Sequence, residues 1–184
     1  MITRRIFAAG ALSALALPCR AAASLDDIRA AAAGLDQLNA IVVRVDGETV
    51  LAEAFRGPAL DRPANVKSVS KTLVATLTGA AIARGVLPGV EAPALPYLAA
   101  RAPSGMDPRA ARITVAELLT MRSGFERVSG ANYGAWVQSR DWIGYVLARP
   151  MLAEPGAQFS YSTGDFHLLG AVLAEASGRD LHSL

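Results

Sequence analysis

Several kinds of catalytic centre are excluded by what the 184-residue sequence lacks. Its one cysteine, Cys19, lies near the start of the chain, so the sequence offers neither an internal disulfide nor a pair of thiolates. The two histidines, His167 and His182, have no cysteine partners and do not form a credible zinc site. There is no phosphate-binding glycine loop, dinucleotide fingerprint or G-x-S-x-G elbow. We therefore expect neither a cofactor nor a metal ion.

The first 23 residues have the order of a secretory signal peptide. Arg4 and Arg5 precede a short apolar run over residues 6–17, and three alanines at 21–23 offer an A-x-A cleavage site. The paired arginines resemble a twin-arginine signal. A buried N-terminal helix is the structural alternative. We expect residues 1–23 to be removed, leaving a domain over residues 24–184 in the periplasm or outside the cell, with no integral membrane segment.

The charge of the chain gives no indication of a nucleic-acid partner. Three of the 18 lysines and arginines lie in the predicted leader, at positions 4, 5 and 20, and none of the 16 acids does. The domain after the leader therefore carries 15 basic residues against 16 acidic ones, a net charge of −1. Such a balance argues against binding to nucleic acid or to an acidic membrane surface.

Local patterns predict a mixed α+β chain. Two β-rich runs within residues 41–55 flank Asp46-Gly47, a pair that tolerates the positive φ of a tight hairpin turn. Thr114 and Glu117 have the spacing of a capping box at a helix start. Apolar spacing predicts helices over residues 25–38, 69–84 (apolar on nearly all sides, hence buried all round), 114–121, 142–148 and 164–176, with an irregular stretch over 88–108.

Ser68 and Lys71 are the strongest candidates for chemistry. They form an S-x-x-K pattern that places both side chains on one face at the start of a predicted helix. An amine in an apolar environment gives up its charge more readily and can then take the proton of a serine hydroxyl. The helix start favours an oxyanion. The structural alternatives are a coincidence of spacing and a snorkelling lysine.

Tyr161 is the second candidate, in the loop after the Pro155-Gly156 turn. A loop tyrosine next to an ammonium group can act as a proton shuttle. The alternative is a packed loop tyrosine whose hydroxyl has a hydrogen-bond partner.

Four segments follow one another at residues 67–73, 113–124, 155–162 and 168–178. In this order they resemble the serine β-lactamase-related family, which includes class C β-lactamases, penicillin-binding D,D-peptidases, esterases and aminohexanoate-oligomer hydrolases. The resemblance implies an α+β, β-lactamase/D,D-transpeptidase-like fold, in which an antiparallel sheet is flanked by helices and joined by a helical subdomain. It implies that Ser68 attacks an amide or ester, that Lys71 takes its proton, that Tyr161 protonates the leaving group, and that Thr163 contacts substrate.

The sequence departs from the family pattern in three places. Thr163 stands where the β-lactamases have an asparagine, and Met121-Arg122 replaces His-Thr. The third family segment, K-T-G or H-x-G on a later strand, does not occur before Leu184. Without the C-terminal strands that follow, we expect a truncated product with little or no activity, because losing one oxyanion donor costs roughly a hundredfold.

Three functions are open from the sequence. The leading prediction is an exported serine hydrolase of a small-molecule or peptide-like amide or ester. The alternatives are a non-catalytic homologue or fragment that only binds such ligands, and a D,D-peptidase of cell-wall metabolism. The Tyr161 and Trp136 segments favour the aminohexanoate-oligomer hydrolase and esterase branch by resemblance.

Overall fold

The computed structural model describes residues 23–184, so the predicted leader lies, but for its last residue, outside the described residues. The described chain divides into two compact units between residues 65 and 66. In the described part of the chain, no helix has both the length and the apolar character needed to cross a bilayer.

The first unit contains a capped helix and the predicted hairpin. Helix α1 (Leu25–Ala33) begins at Ser24, whose hydroxyl accepts a hydrogen bond from the backbone of Asp27. Strands β1 (Ala40–Val45) and β2 (Glu48–Ala54) pair antiparallel, with Ala40 opposite Ala54 and a bulge after Val43. The hairpin is confirmed, and both residues of its Asp46-Gly47 turn have positive φ, at 49° and 86°.

The second unit is helical. The predicted capping box is confirmed, since the backbone N–H of Thr114 donates to a Glu117 carboxylate oxygen at 2.6 Å. The stretch over 88–108 is mainly irregular, as expected, but includes one short helix whose proline lies in its first turn, where a missing N–H costs nothing. The helices are α2 (Ser70–Ala83), α3 (Leu95–Leu98), α4 (Val115–Leu119), α5 (Tyr133–Gln138), α6 (Trp142–Leu147) and α7 (Thr163–Ser177).

Helix α7 forms the centre of the core in this unit. It presents one apolar face to α3, α4 and α6, and the side chains of that face are fully buried. It ends at Gly178, whose φ of 65° is the left-handed conformation that favours glycine after a helix. The buried set includes Leu98, Val115, Leu118, Val146, Leu168, Leu169, Val172 and Leu173.

The prediction that the second helix is buried all round is wrong. In α2 only Thr78 and Ala81 are buried, and Leu73 is 62% exposed. One face of the helix packs against α7, and an apolar composition on every side does not determine how many faces find a partner.

The Ser123-Gly124 pair lies in a tight loop where only glycine fits at position 124. Gly124 has a φ of 90°, and a Cβ atom at this position would lie 2.4 Å from the carbonyl oxygen of Ala153. Met121 also has a positive φ, 52°, and its carbonyl accepts from the N–H of Ser160 at 2.9 Å. This loop therefore runs against the segment that leads to Tyr161.

Candidate active site

Ser68 lies in a strained turn immediately before α2. A 3-10 turn over Lys67–Val69 leads into the helix, and Lys67 has a φ of 49°, which is uncommon for a residue with a side chain. The hydroxyl of Ser70 donates to the Lys67 carbonyl at 2.7 Å and fixes this turn. The Ser70 hydroxyl therefore already has a hydrogen-bond partner in its own turn. The exposed Ser68 hydroxyl, in contrast, contacts Lys71 and Tyr161.

Three of the four predicted site residues meet at the Ser68 hydroxyl. The Lys71 Nζ atom lies 3.0 Å from Ser68 Oγ, one helical turn along the chain. The Tyr161 hydroxyl donates to the same oxygen at 2.8 Å from a segment 93 residues away. The S-x-x-K spacing predicts the first contact, whereas the second depends on how α7 packs against α2.

The electrostatics of the group favour proton exchange. The hydrogen bond to Ser68, together with the hydrogen bond and positive charge of Lys71, lowers the pKa of Tyr161. The Lys71 Nζ atom also lies 5.2 Å from the centre of the Tyr161 ring. Among the described residues, no carboxylate lies within ion-pair distance of Lys71.

Thr163, the fourth predicted residue, contacts Lys71 as well as a residue that the sequence did not point to. Its Oγ1 atom lies 3.4 Å from Lys71 Nζ and 3.2 Å from Ser129 Oγ. Ser129 also accepts a hydrogen bond from the backbone N–H of Thr163 at 2.9 Å. No local pattern marks Ser129, because its partner is 34 residues away.

A buried carboxylate, Asp165, connects the loop that precedes Ser129 to the start of α7. Asp165 is 1% exposed, and it accepts from the Ser123 hydroxyl at 3.0 Å and from the Ser123 backbone N–H at 3.4 Å. Ser162, next to Tyr161, accepts from the N–H of Val128 at 3.2 Å. The loop over residues 123–129 is thus joined to residues 161–165 at several points.

The comparisons with known proteins identify the family. A model of the beta-lactamase family matches residues 29–184, which is most of the sequence. The chain belongs to the beta-lactamase family. Comparison with curated proteins finds no match.

Solved structures share the fold of this family. The chain is similar to an octameric penicillin-binding protein homologue from Pyrococcus abyssi (22% identity, TM-score 0.60) and to D-alanine carboxypeptidase AmpC from Burkholderia cenocepacia (25%, 0.55). It is also similar to EstCE1, a hydrolase with promiscuous acyltransferase activity (23%, 0.57). Each match covers 77% of this chain but only 35%, 38% and 42% of the respective structure. The chain thus spans less than half the length of these structures.

An apolar cavity lies beside Lys71 and Thr163. It has a volume of about 560 Å³, and Lys71 and Thr163 form part of its wall. His167 is half-buried there beside Trp136 and Trp142, and burial lowers its pKa. Among residues 23–184, no cluster of histidine and carboxylate side chains could hold a metal ion. The remaining lining is mainly apolar: Val74, Ile143, Phe166 and Ala171.

Proposed function

We propose that this chain carries the acylating centre of an exported serine hydrolase that cleaves an amide or ester bond. Membership of the beta-lactamase family supports a hydrolase. The observation that carries the finer proposal is the arrangement of Lys71 Nζ at 3.0 Å and the Tyr161 hydroxyl at 2.8 Å from Ser68 Oγ. A serine hydroxyl needs an adjacent base of this kind before it can attack a carbonyl.

The proposed reaction has two halves. In the first, Ser68 Oγ bonds to the carbonyl carbon while its proton passes to the neutral amine of Lys71. The resulting tetrahedral intermediate expels the amine or alcohol, which takes a proton from Tyr161, and an acyl-enzyme on Ser68 remains. In the second, the Tyr161 oxygen takes a proton from water, the hydroxide attacks the ester, and Ser68 leaves with a proton from Lys71.

Thr163 orients the lysine in this scheme. For the Lys71 lone pair to face Ser68, the N–H bonds of the neutral amine must point elsewhere. The Thr163 hydroxyl, 3.4 Å from Nζ, can accept a hydrogen bond from one of them and donate its own O–H to Ser129 Oγ at 3.2 Å. This role acts on the base rather than on the substrate amide.

Covalent labelling tests the proposal. Purified protein is treated with a fluorophosphonate probe and with a fluorescent penicillin, and the labelled residue is identified by peptide mass spectrometry. We expect a label on Ser68 that Ser68→Ala removes. Ser70→Ala is the matched control, because this serine lies two residues away and its hydroxyl is bonded to the Lys67 carbonyl.

The outcomes separate the open functions. A label that survives Ser68→Ala would make the catalytic assignment wrong, and no label at all would favour the non-catalytic ligand-binding alternative. Hydrolysis of a short-chain nitrophenyl ester, compared with a peptide ending in D-Ala-D-Ala, separates an esterase or amidase from a D,D-peptidase. Whatever rate of ester turnover is measured, Tyr161→Phe should lower it by about a hundredfold or more, since general acid–base catalysis contributes roughly 10²–10⁴.

Export remains a part of the proposal. It is supported by the order of charged, apolar and small residues over 1–23. Mass spectrometry of the protein recovered from a periplasmic fraction should show an N-terminus at or near Ser24, the residue that follows the three alanines. A mass that still includes residues 1–23 would contradict export by this route.

A further inference from the structure

A second cavity, which is mainly polar, lies next to the segment that carries Tyr161. It has a volume of about 370 Å³ and lies between the loop over residues 126–132 and the segment that precedes Tyr161. Its polar lining consists of Glu126, Arg127, Ser129, Asn132 and Ser160.

The cavity carries one uncompensated positive charge. Glu126 forms an ion pair with Arg149, whose guanidinium lies 5.7 Å from the centre of the Tyr145 ring. Arg127, in contrast, is exposed and forms no ion pair with any residue of the described range 23–184. Since the one acid of the lining is already paired, the cavity favours an anion.

The arginine is supported by fixed neutral groups. The side-chain amide of Asn132 donates to the Arg127 carbonyl at 3.1 Å, a hydrogen bond that closes the loop over residues 127–132. The next residue, Val128, donates its N–H to Ser162. The loop that bears Arg127 is therefore attached to the segment that bears Tyr161.

The cavity also lies close to the proposed nucleophile. Ser129 Oγ, in its wall, is 3.2 Å from Thr163 Oγ1, which in turn is 3.4 Å from Lys71 Nζ. Ser160, in the same wall, directly precedes Tyr161. A substrate whose carbonyl reaches Ser68 would extend into the cavity within a few bonds.

From this arrangement we infer that the cavity binds a carboxylate at the far end of the substrate's acyl chain, paired with Arg127. The inference rests on the proposed function, since it names the class of acyl group that the same centre transfers. An arginine fork matches a carboxylate through two parallel hydrogen bonds, which a lone ammonium cannot do. The Ser160 hydroxyl, for which no partner is seen within residues 23–184, supplies a further donor.

Two nitrophenyl esters of equal chain length test the inference. The 4-nitrophenyl monoester of glutaric acid ends in a carboxylate, and 4-nitrophenyl valerate ends in a methyl group. The ratio of their kcat/KM values should fall about tenfold in Arg127→Gln, while kcat/KM for valerate stays within twofold. Arg127→Lys should keep part of the preference. Arg84→Gln, which removes an exposed arginine outside the cavity, should leave the ratio unchanged.

A binding measurement makes the inference independent of turnover. Glutarate is titrated into Ser68→Ala protein and into the same protein with Arg127→Gln, followed by NMR chemical shifts. Binding that is lost with Arg127→Gln supports the anion site even if neither ester is hydrolysed, in which case the proposed function fails alone. Ser68-dependent hydrolysis of valerate with an unchanged ester ratio in Arg127→Gln, or no glutarate binding at all, overturns the inference and leaves the proposed function intact.

Discussion

Asp165 gives the sharpest test of how the site is held together. Its carboxylate lies in the first turn of α7 and is almost completely buried. Burial raises its pKa to about 6 from 3.8, although hydrogen bonds from Ser123 and Ser162 oppose the shift. The carboxylate that joins the 123–129 loop to α7 is therefore costly to ionise in the folded protein.

The magnitude follows from the difference between the two pKa values. A difference of about two units corresponds to about 3 kcal/mol, at 1.36 kcal/mol per unit. Because the folded-state pKa is the higher one, this contribution to stability is complete below pH 3.8 and is lost as the pH rises through about 6. An Asp165→Asn side chain cannot ionise, yet its amide oxygen still accepts from Ser123 and its amide nitrogen can donate to Ser162. The free energy of unfolding of this variant should therefore not fall as the pH rises through about 6.

Urea denaturation followed by circular dichroism at pH 4, 5, 6 and 7.5 measures the effect. The free energy of unfolding of Asp165→Asn, minus that of the unmodified protein, should rise by roughly 2 kcal/mol between pH 4 and pH 7.5. This is less than the whole difference because the unfolded chain is already more than half ionised at Asp165 at pH 4. Asp61→Asn, at an exposed carboxylate, is the control and should give a constant difference. A pH-independent difference for Asp165→Asn would refute the reasoning, because it would mean that Asp165 ionises as easily in the folded chain as in the unfolded one.

Two paired substitutions test the packing by the same urea assay. Gly124→Ala should lower the free energy of unfolding by roughly 3 kcal/mol or more, since its Cβ would lie 2.4 Å from a backbone oxygen. Gly178→Ala has open space around it and should cost only about 1–2 kcal/mol, the cost of a side chain in the left-handed conformation. Equal losses for the two variants would contradict the clash at Gly124. Leu118→Ala should lower the free energy of unfolding by about 2–5 kcal/mol because Leu118 is fully buried. Leu152 is 71% exposed, so Leu152→Ala should change it by no more than about 0.5 kcal/mol. A small loss for Leu118→Ala would show that Leu118 is not a core residue.

Local signals in the sequence are sufficient for much of the secondary structure. The Asp46-Gly47 turn and the Thr114 capping box each depend on residues within a few positions of one another, and both are confirmed. The burial of α2 is not a local property. Its residues are apolar on every side, and only packing against α7 decides which of them lose contact with water.

The contacts of the candidate site likewise include one that local spacing predicts and several that only the folded chain creates. The contact between Ser68 and Lys71 follows from helical spacing alone. The contacts of Ser129 with Thr163 and of Ser123 with Asp165 join residues 34 and 42 positions apart. Serine and aspartate are common in loops, so nothing in their type marks these pairs before the chain is folded.

The replacement of the family's asparagine by Thr163 changes what this position can do. A threonine hydroxyl has one proton and two lone pairs, whereas an asparagine side chain has two donors and an acceptor on separate atoms. In the orientation proposed above, Thr163 accepts from Lys71 at 3.4 Å and donates to Ser129 at 3.2 Å, which engages its proton and one lone pair. One lone pair remains, so Thr163 could accept a hydrogen bond from a substrate N–H but could not donate one to a substrate carbonyl. A donor for that carbonyl therefore has to come from another group. In the same orientation Ser129 Oγ accepts from both the backbone N–H and the hydroxyl of Thr163 and keeps its own proton, so its hydroxyl has a donor to offer.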